Sequence, residues 1–412
     1  MSKDFINSNL KDYEKNIKKL TIIQALRWTL FIMPVIIPFY QLYNLSMNQI
    51  FLIQTFYSIS LLLFEIPSGY FSDFLGRKKT LIIGTFSSFF GFLIYSLSYS
   101  FYGFVISEII LGIGSSFISG TDSAFIYENL KKLKQEKDYK KVEGKISFYC
   151  SFSESVSGFL AGFFALISLR FNFYIETFFV FIAFLISLTL YEDSLEIKKK
   201  KSKNKKELSL SRSLYKHYLE IKKTLNYAFN LKKEIKYVLF FSGFLGTSTL
   251  IMTWLIQTYF QLLKIPIEFF GILWAIYNLS LGFFSLFSHN FEKFFGFKKS
   301  LLIFFLLIFF AYFSLGFINS YFGLIVLFLF YFVRAMSMPI IKHYLNKKLK
   351  HSNRATIISI NGLFTRLFFS ILSPLLGLIK DLFNLEKTFF FSSFIFFFFI
   401  GSSYYFLTKN IK

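Results

Sequence analysis

The 412-residue chain alternates long apolar stretches with short polar ones. A helix rising about 1.5 Å per residue needs about 20 mostly apolar residues to cross a bilayer. Twelve stretches meet that length: Leu20–Tyr43, Gln49–Ser72, Lys79–Tyr99, Phe101–Leu130, Val142–Leu169, Phe173–Tyr191, Ile235–Leu262, Pro266–Ser288, Ser300–Ile318, Tyr321–Tyr344, Ala355–Ile379 and Lys387–Leu407. The pattern predicts an all-α membrane protein with twelve spans. Several stretches exceed the minimum, which allows tilt or extension past the lipid.

The polar connections carry a second pattern. With the N-terminus in the cytoplasm, 39 of the 46 Lys and Arg residues fall in cytoplasmic segments. The outer connections hold Arg170, Lys264, Lys380 and Lys387, while Arg27, Arg334 and Arg366 lie within spans. The positive-inside rule therefore sets the count of spans and their orientation, with both termini cytoplasmic. It also accounts for the formal net charge of +23, so no nucleic-acid partner is needed.

Composition agrees. The chain is 54% hydrophobic with a mean hydropathy of +0.53, more apolar surface than a soluble domain can bury. The 64 phenylalanines read mostly as lipid-facing filler. The first apolar run is too long for a signal-peptide core and lacks a small-residue cleavage site, so it is expected to remain a membrane helix. A single cysteine, Cys150, excludes an intrachain disulfide, and the four histidines lack metal-ligand spacing. No metal or other cofactor is expected. No phosphate-binding Gly-x-x-x-x-Gly-Lys-Ser/Thr occurs, which points to an ion gradient as energy source. The absence of His-Glu-x-x-His and Gly-x-Ser-x-Gly argues against a polytopic membrane enzyme. A non-transporting membrane sensor is a further remote alternative.

The longest connection, Glu196–Ser213, is lysine-rich and reads as a solvated linker. The stretch after it places apolar and basic residues on opposite faces, which predicts a helix lying on the cytoplasmic leaflet. The expected division is a six-helix bundle over 1–195, a linker with surface helix over 196–234, and a second six-helix bundle over 235–412. A weak internal repeat supports it. "GYFSDFLGRKK" (Gly69–Lys79) aligns without gaps to "HNFEKFFGFKK" (His289–Lys299) at an offset of 220 residues. The closing Gly and the Lys-Lys pair match, whereas the Asp and Arg do not.

The Gly-x-x-x-Asp-x-x-Gly-Arg-Lys-Lys pattern of Gly69, Asp73, Gly76, Arg77, Lys78 and Lys79 resembles the signature loop of the major facilitator superfamily. With twelve spans and a second degenerate copy, the resemblance covers essentially the whole chain. It implies two bundles that rock around a central site. It also implies that the loop acts as a gating latch on the cytoplasmic side, with Asp122 and Arg354 as partners. The glycines would permit a tight turn and close helix approach, and Asp73 could face a helix N-terminus and a cation. The stretches "GTDSAFIYENLKKL" and "RATIISINGLFTRLFFSILSPLLG" resemble a bacterial drug-efflux branch. That implies a multi-pass protein of the bacterial plasma membrane, functioning as a monomer, that exports amphipathic toxic compounds by proton antiport. Two departures weaken this finer reading. Glu108 stands where drug antiporters often carry an arginine, although Gly112 and Gly114 are retained. The fifth span has Ser157, Gly158, Ala161 and Gly162 but no Gly-Pro step.

Charges within the spans are the candidates for proton coupling or substrate contact, because each costs a few kcal/mol in lipid. They are Glu154 in span five, Arg334 in span ten, Arg366 in span eleven, Arg27 in span one, Glu108 in span four and Glu65 in span two. Glu154, acidic and near the midplane, is the leading proton candidate. Arg334 and Arg366 could neutralise a carboxylate or bind an anionic substrate, which makes a specific metabolite or organic-anion porter the alternative function. Arg27 and Glu108 read more as structural ion-pair members. Trp254, Trp274 and Tyr277 are more readily interface anchors than cavity lining.

Overall fold

The computed structural model describes residues 3–193, 219, 233–348 and 354–410; the side chains of 3–9, 66, 73 and 354–359 stand outside that description. The predicted linker and surface helix lie outside the described residues, apart from Leu219. The described chain is helical, without strands: α1 Lys3–Arg27, a 3-10 turn Met33–Val35, α2 Ile36–Gln41, α3 Met47–Leu75, α4 Arg77–Leu97, α5 Phe101–Ile118, α6 Thr121–Lys132, α7 Tyr139–Ile167 and α8 Leu169–Leu188. These are followed by α9 Lys233–Leu262, α10 Glu268–Ser285, α11 Ser288–Leu315, α12 Phe322–Lys348, α13 Arg354–Leu382 and α14 Leu385–Asn410. Among the described residues, 11 helices are long and apolar enough to cross a membrane.

Two expected spans are not continuous. The first, drawn as Leu20–Tyr43, stops at Arg27 and resumes only at Met33. Pro34 borders the break: it lacks an N–H, and in a continuous helix its ring would collide with the Leu30 carbonyl. The repeat supplies a control. At the same 220-residue offset, α9 carries Trp254 and Thr258 in place of Pro34 and Pro38 and runs unbroken from Lys233 to Leu262. The fourth span, drawn as Phe101–Leu130, is divided into α5 and α6 at Ser119 and Gly120, the latter at φ 75°.

The chain forms two compact units. The first contains residues 1–35 and 56–220, the second residues 36–55 and 221–412. Residues 36–55, which the sequence assigns to the first bundle, therefore group with the second unit, and α3 is shared. In the first unit α4 packs on α5 and α8, while α1 packs on α6, α7 and α8. One apolar cluster joins Leu20 and Ile23 of α1 to Leu81, Ile118, Phe125, Ile146 and Ala183. In the second unit α9 is the central helix, packed against α12, α13 and α14.

The repeat is visible in the backbone. Gly76 has φ 92° and ψ 157°, and Gly296, its counterpart, has φ 72° and ψ 161°. An L side chain scarcely reaches that region, so glycine is required at both turns. The hydroxyl of Thr80 donates to the Gly76 carbonyl at 2.9 Å, and that of Ser300 donates to the Gly296 carbonyl at 2.8 Å. The two loops are one structural element used twice.

Small residues let α4, α5 and α3 approach closely. A Cβ on Gly112 would stand 2.7 Å from the Tyr57 carbonyl, and one on Gly114 would stand 2.9 Å from the Gly84 carbonyl. A Cβ on Gly144 would meet nothing within 4 Å. Gly112→Ala is therefore expected to lower stability by about 1–3 kcal/mol, the usual cost of overpacking. Gly144→Ala should be neutral or stabilising by up to about 1 kcal/mol. Thermal unfolding of both variants in the same detergent checks the contrast.

Candidate functional site

The loop after α3 ends on Gly76, and α4 starts at Arg77. The first backbone donors of a helix have no partner within it and favour an anion. Glu192, just past α8, takes that place: Arg77 N–H donates to its Oε1 at 2.9 Å and Lys78 N–H to its Oε2 at 3.1 Å. The Arg77 guanidinium pairs with Glu128 of α6 at 3.0 Å. Glu192 and Glu128 are partners the sequence reading missed. A Cβ at Gly69 would meet nothing within 4 Å, so close helix approach is not the reason for that glycine. Lys78 is half-buried at the start of α4. The side chains of Asp73 and Arg354 lie outside the described residues.

Asp122 belongs to a polar centre with α1. It is in the first turn of α6, and its Oδ1 accepts from the Ser123 N–H at 2.7 Å. Its Oδ2 accepts a short hydrogen bond from the Gln24 amide. Arg27 donates to Gln24 Oε1 at 3.3 Å and interacts electrostatically with Asp122. The bonds run from a carboxylate through an amide to a guanidinium, drawn from two helices and closed at the last turn of α1 before its break.

The other charges are distributed as follows. Glu108 is buried on α5 and accepts from the Tyr95 hydroxyl at 3.1 Å. Glu154 is half-buried on α7, within electrostatic reach of Cys150. Glu65 is half-buried on α3. Ser157, Gly158, Ala161 and Gly162 are all buried along α7 and form its packing stripe. Arg366 is half-buried on α13. Arg334, the thirteenth residue of α12, is exposed and donates to Thr253 Oγ1 of α9 at 3.3 Å. Trp254, Trp274 and Tyr277 are all buried, and Tyr277 donates to the Leu324 carbonyl at 2.9 Å. They are packing residues of the second unit, neither interface anchors nor open lining.

Two features escaped the sequence reading. The first is Glu176 of α8, wholly buried, whose Oε2 accepts from the Phe31 N–H at 2.8 Å. The sixth span was drawn from Phe173, which put Glu176 near the interface. The helix starts at Leu169, and that brings Glu176 about 10 Å inside its N-terminal end. The second is a row of bonds holding residues 36–55 to α9 and α13. Ile37 N–H donates to Gln257 Oε1 at 3.0 Å, and the Gln261 amide donates to Gln41 Oε1 at 2.6 Å. Asp381 caps α3, accepting from the N–H groups of Met47 at 2.9 Å and Asn48 at 2.8 Å. The Asn48 amide donates to the Pro374 carbonyl at 2.8 Å. Residues 37 and 257, and 41 and 261, are repeat counterparts at the 220 offset.

Two bundles of long apolar helices, related by a repeat and carrying buried polar centres, define a polytopic helical membrane protein of the transporter class. A family model described as the Major Facilitator Superfamily matches residues 20–263, and the chain belongs to that superfamily. It is 33% identical over 96 residues to an "uncharacterized transporter" of Buchnera aphidicola subsp. Acyrthosiphon pisum, over 23% of this chain and 24% of that protein. A second Buchnera transporter, from subsp. Schizaphis graminum, is 35% identical over 100 residues, 24% and 25% of the two chains. The chain thus matches about a quarter of the length of these relatives. Among solved structures, the nucleoside transporter NupG superposes with a TM-score of 0.78 at 15% identity, covering 96% of this chain and 98% of that one. A D-xylose-proton symporter superposes at 0.72 with 17% identity, covering 96% and 97%. These likenesses establish the fold.

Asp122→Ala removes the acceptor of Gln24 and the electrostatic partner of Arg27. Loss of hydrogen bonds to a charged group typically costs about 1.5–3 kcal/mol. Thermal unfolding should show Asp122→Ala less stable than the wild type, and Asp122→Ala with Arg27→Met partly restored.

Proposed function

We propose that this superfamily transporter is a secondary active porter that moves a small organic anion by alternating access, driven by an ion gradient. The observation carrying the reading is Arg334. It lies at mid-helix in α12, is exposed, and has Thr253, a neutral hydroxyl, as its hydrogen-bond partner. Among the described residues no carboxylate pairs with it. An arginine at membrane depth is costly unless neutralised, and its planar fork suits a carboxylate or phosphate group. Arg366 is the other mid-helix charge of the second unit, so both are cationic.

The bonds of residues 36–55 support the alternating-access part. Gln41–Gln261, Asp381 on the N-terminus of α3, and Ile37–Gln257 are individually modest and reversible, and movement of the segment would require their release. The loop Gly69–Lys79 belongs to the same proposal as the cytoplasmic latch, with Arg77 held by Glu128.

A second reading, export of amphipathic toxic compounds by proton antiport, draws on the aromatic interior of the second unit. There Phe244 stacks on Phe368 at 4.0 Å and Tyr277 on Tyr331 at 5.0 Å. Two assays separate the readings. In proteoliposomes offered radiolabelled mono- and dicarboxylates and phosphate esters, at least one should accumulate. Arg334→Gln should reduce its kcat/KM by about tenfold or more, the equivalent of about 1.4 kcal/mol, and Arg334→Lys should retain part. Uptake of none of these anions, together with lower ethidium accumulation in a pump-deleted bacterium expressing either wild type or Arg334→Gln, would replace the anion reading with export.

A further inference from the structure

The gap in the first span faces a buried acid–amide pair on α8. Glu176 is 0% exposed, and its Oε2 accepts from the Phe31 N–H inside the gap. Its Oε1 has no hydrogen-bond partner. Asn172 lies four residues earlier, is also 0% exposed, and neither its Oδ1 nor its Nδ2 has a partner. Helical residues four apart share a face. Three buried polar atoms are therefore left open on one face of α8, where native interiors normally satisfy nearly all.

No countercharge explains this acid. Helix α8 packs against α1, α4 and α7. Within the apolar stretches of those helices the charged or titratable groups are Arg27 on α1, Lys79 and Tyr95 on α4, and Glu143, Lys145, Tyr149, Cys150 and Glu154 on α7, with Arg170 and Tyr174 on α8 itself. Arg27 is directed to Gln24 and Asp122, Tyr95 to Glu108, and Arg170 to the carbonyls of Ser96 and Ser98. None of them acts on Glu176, whose surroundings are set by burial and by the Phe31 N–H. An ionised carboxylate enclosed without a cation is a costly state.

A proton resolves the arrangement. Added to Oε1, it cancels the charge and turns that oxygen into a donor, for which Asn172 Oδ1 is the open acceptor one turn away. Oε2 continues to accept from Phe31. A metal ion fits less well, because hard cations take several oxygen ligands and two open side-chain oxygens are present. We propose that Glu176 and Asn172 form a proton-binding site against the break in the first span, and that its occupancy couples transport to the proton gradient. This rests on the reading as a gradient-driven porter and names its coupling site. The break gives the proton a mechanical effect. A carboxylate holds the Phe31 N–H more strongly than a neutral acid does, so proton binding loosens α8's grip on the interrupted span.

The test uses the proton itself and needs no substrate. Proteoliposomes of the full chain are adsorbed on a solid-supported membrane, and a rapid pH jump is applied at constant sodium. Wild type and Gly144→Ala, where the added Cβ meets nothing within 4 Å, should give a transient current that saturates with protein density. Glu176→Gln, which keeps the acceptor for Phe31, should lose it while remaining monodisperse and as thermally stable as the wild type. Asn172→Ala should retain a transient of reduced amplitude and serves as the second variant if Glu176→Gln does not fold. A full transient in Glu176→Gln or unchanged amplitude in Asn172→Ala would overturn the proposal. So would the absence of any wild-type transient, or a transient driven by a sodium jump that needs Glu176. Failure of the anion assay alone leaves these currents unaffected, so the two readings fail separately.

Discussion

In lipid, a backbone N–H has no water to turn to, and every one must find a partner inside the protein. That constraint organises the structure around the first span. The helix is interrupted beside Pro34, and the interruption leaves donors that the regular ladder would have used. Two are satisfied by side chains from other helices: Phe31 by Glu176 of α8 and Ile37 by Gln257 of α9. Glu176 and Phe31 belong to the first unit, whereas Gln257 and Ile37 belong to the second. One freed N–H is thus met within each unit, in each case by a single long polar side chain.

The repeat shows how little sequence is needed to make this difference. Gly76 and Gly296 keep the same backbone conformation, and Thr80 and Ser300 make the same bond to them. Yet α9, the counterpart of the first span, is continuous and is the central helix of its unit. Where α9 carries Trp254 and Thr258, the first span carries Pro34 and Pro38 and is in two pieces. The break is paired with a gain in polar contacts, since Gln41 meets Gln261, its own counterpart.

Much of this was legible in the sequence. Hydropathy located the spans, and the loop Gly69–Lys79 pointed to the superfamily that the match over residues 20–263 establishes. The breaks at 28–32 and 119–120 were not read, although Pro34 and Gly120 stood in plain view, because a hydropathy window averages across them. Glu176 was lost to a four-residue error in the start of one helix. Glu192 and Glu128 were hidden for another reason. They are distant in sequence from Arg77, and nothing local marks one glutamate near a helix end as the cap of another helix. Asp122 could be named from the sequence, but its place in the first turn of α6 and its neighbours Gln24 and Arg27 became visible only once α1 and α6 were seen to pack together.

Charge is also divided between the units in a way that bears on mechanism. The buried or half-buried mid-helix acids Glu108, Glu154 and Glu176 all lie in the first unit, and the mid-helix charges of the second are Arg334 and Arg366. An acid in contact with an arginine is held in its charged form, which weakens its hold on a proton. On the proposed mechanism, an acid that takes up a proton and an arginine that takes up an anion stay responsive while each is satisfied by neutral groups. The structure supplies such groups: the Phe31 N–H for Glu176 and the Thr253 hydroxyl for Arg334. Neutral partners stabilise a charge less than a counter-ion does, and they let it be discharged by a proton or an anionic ligand at modest cost. A transport cycle needs that property at both ends, because a site that binds too firmly cannot release.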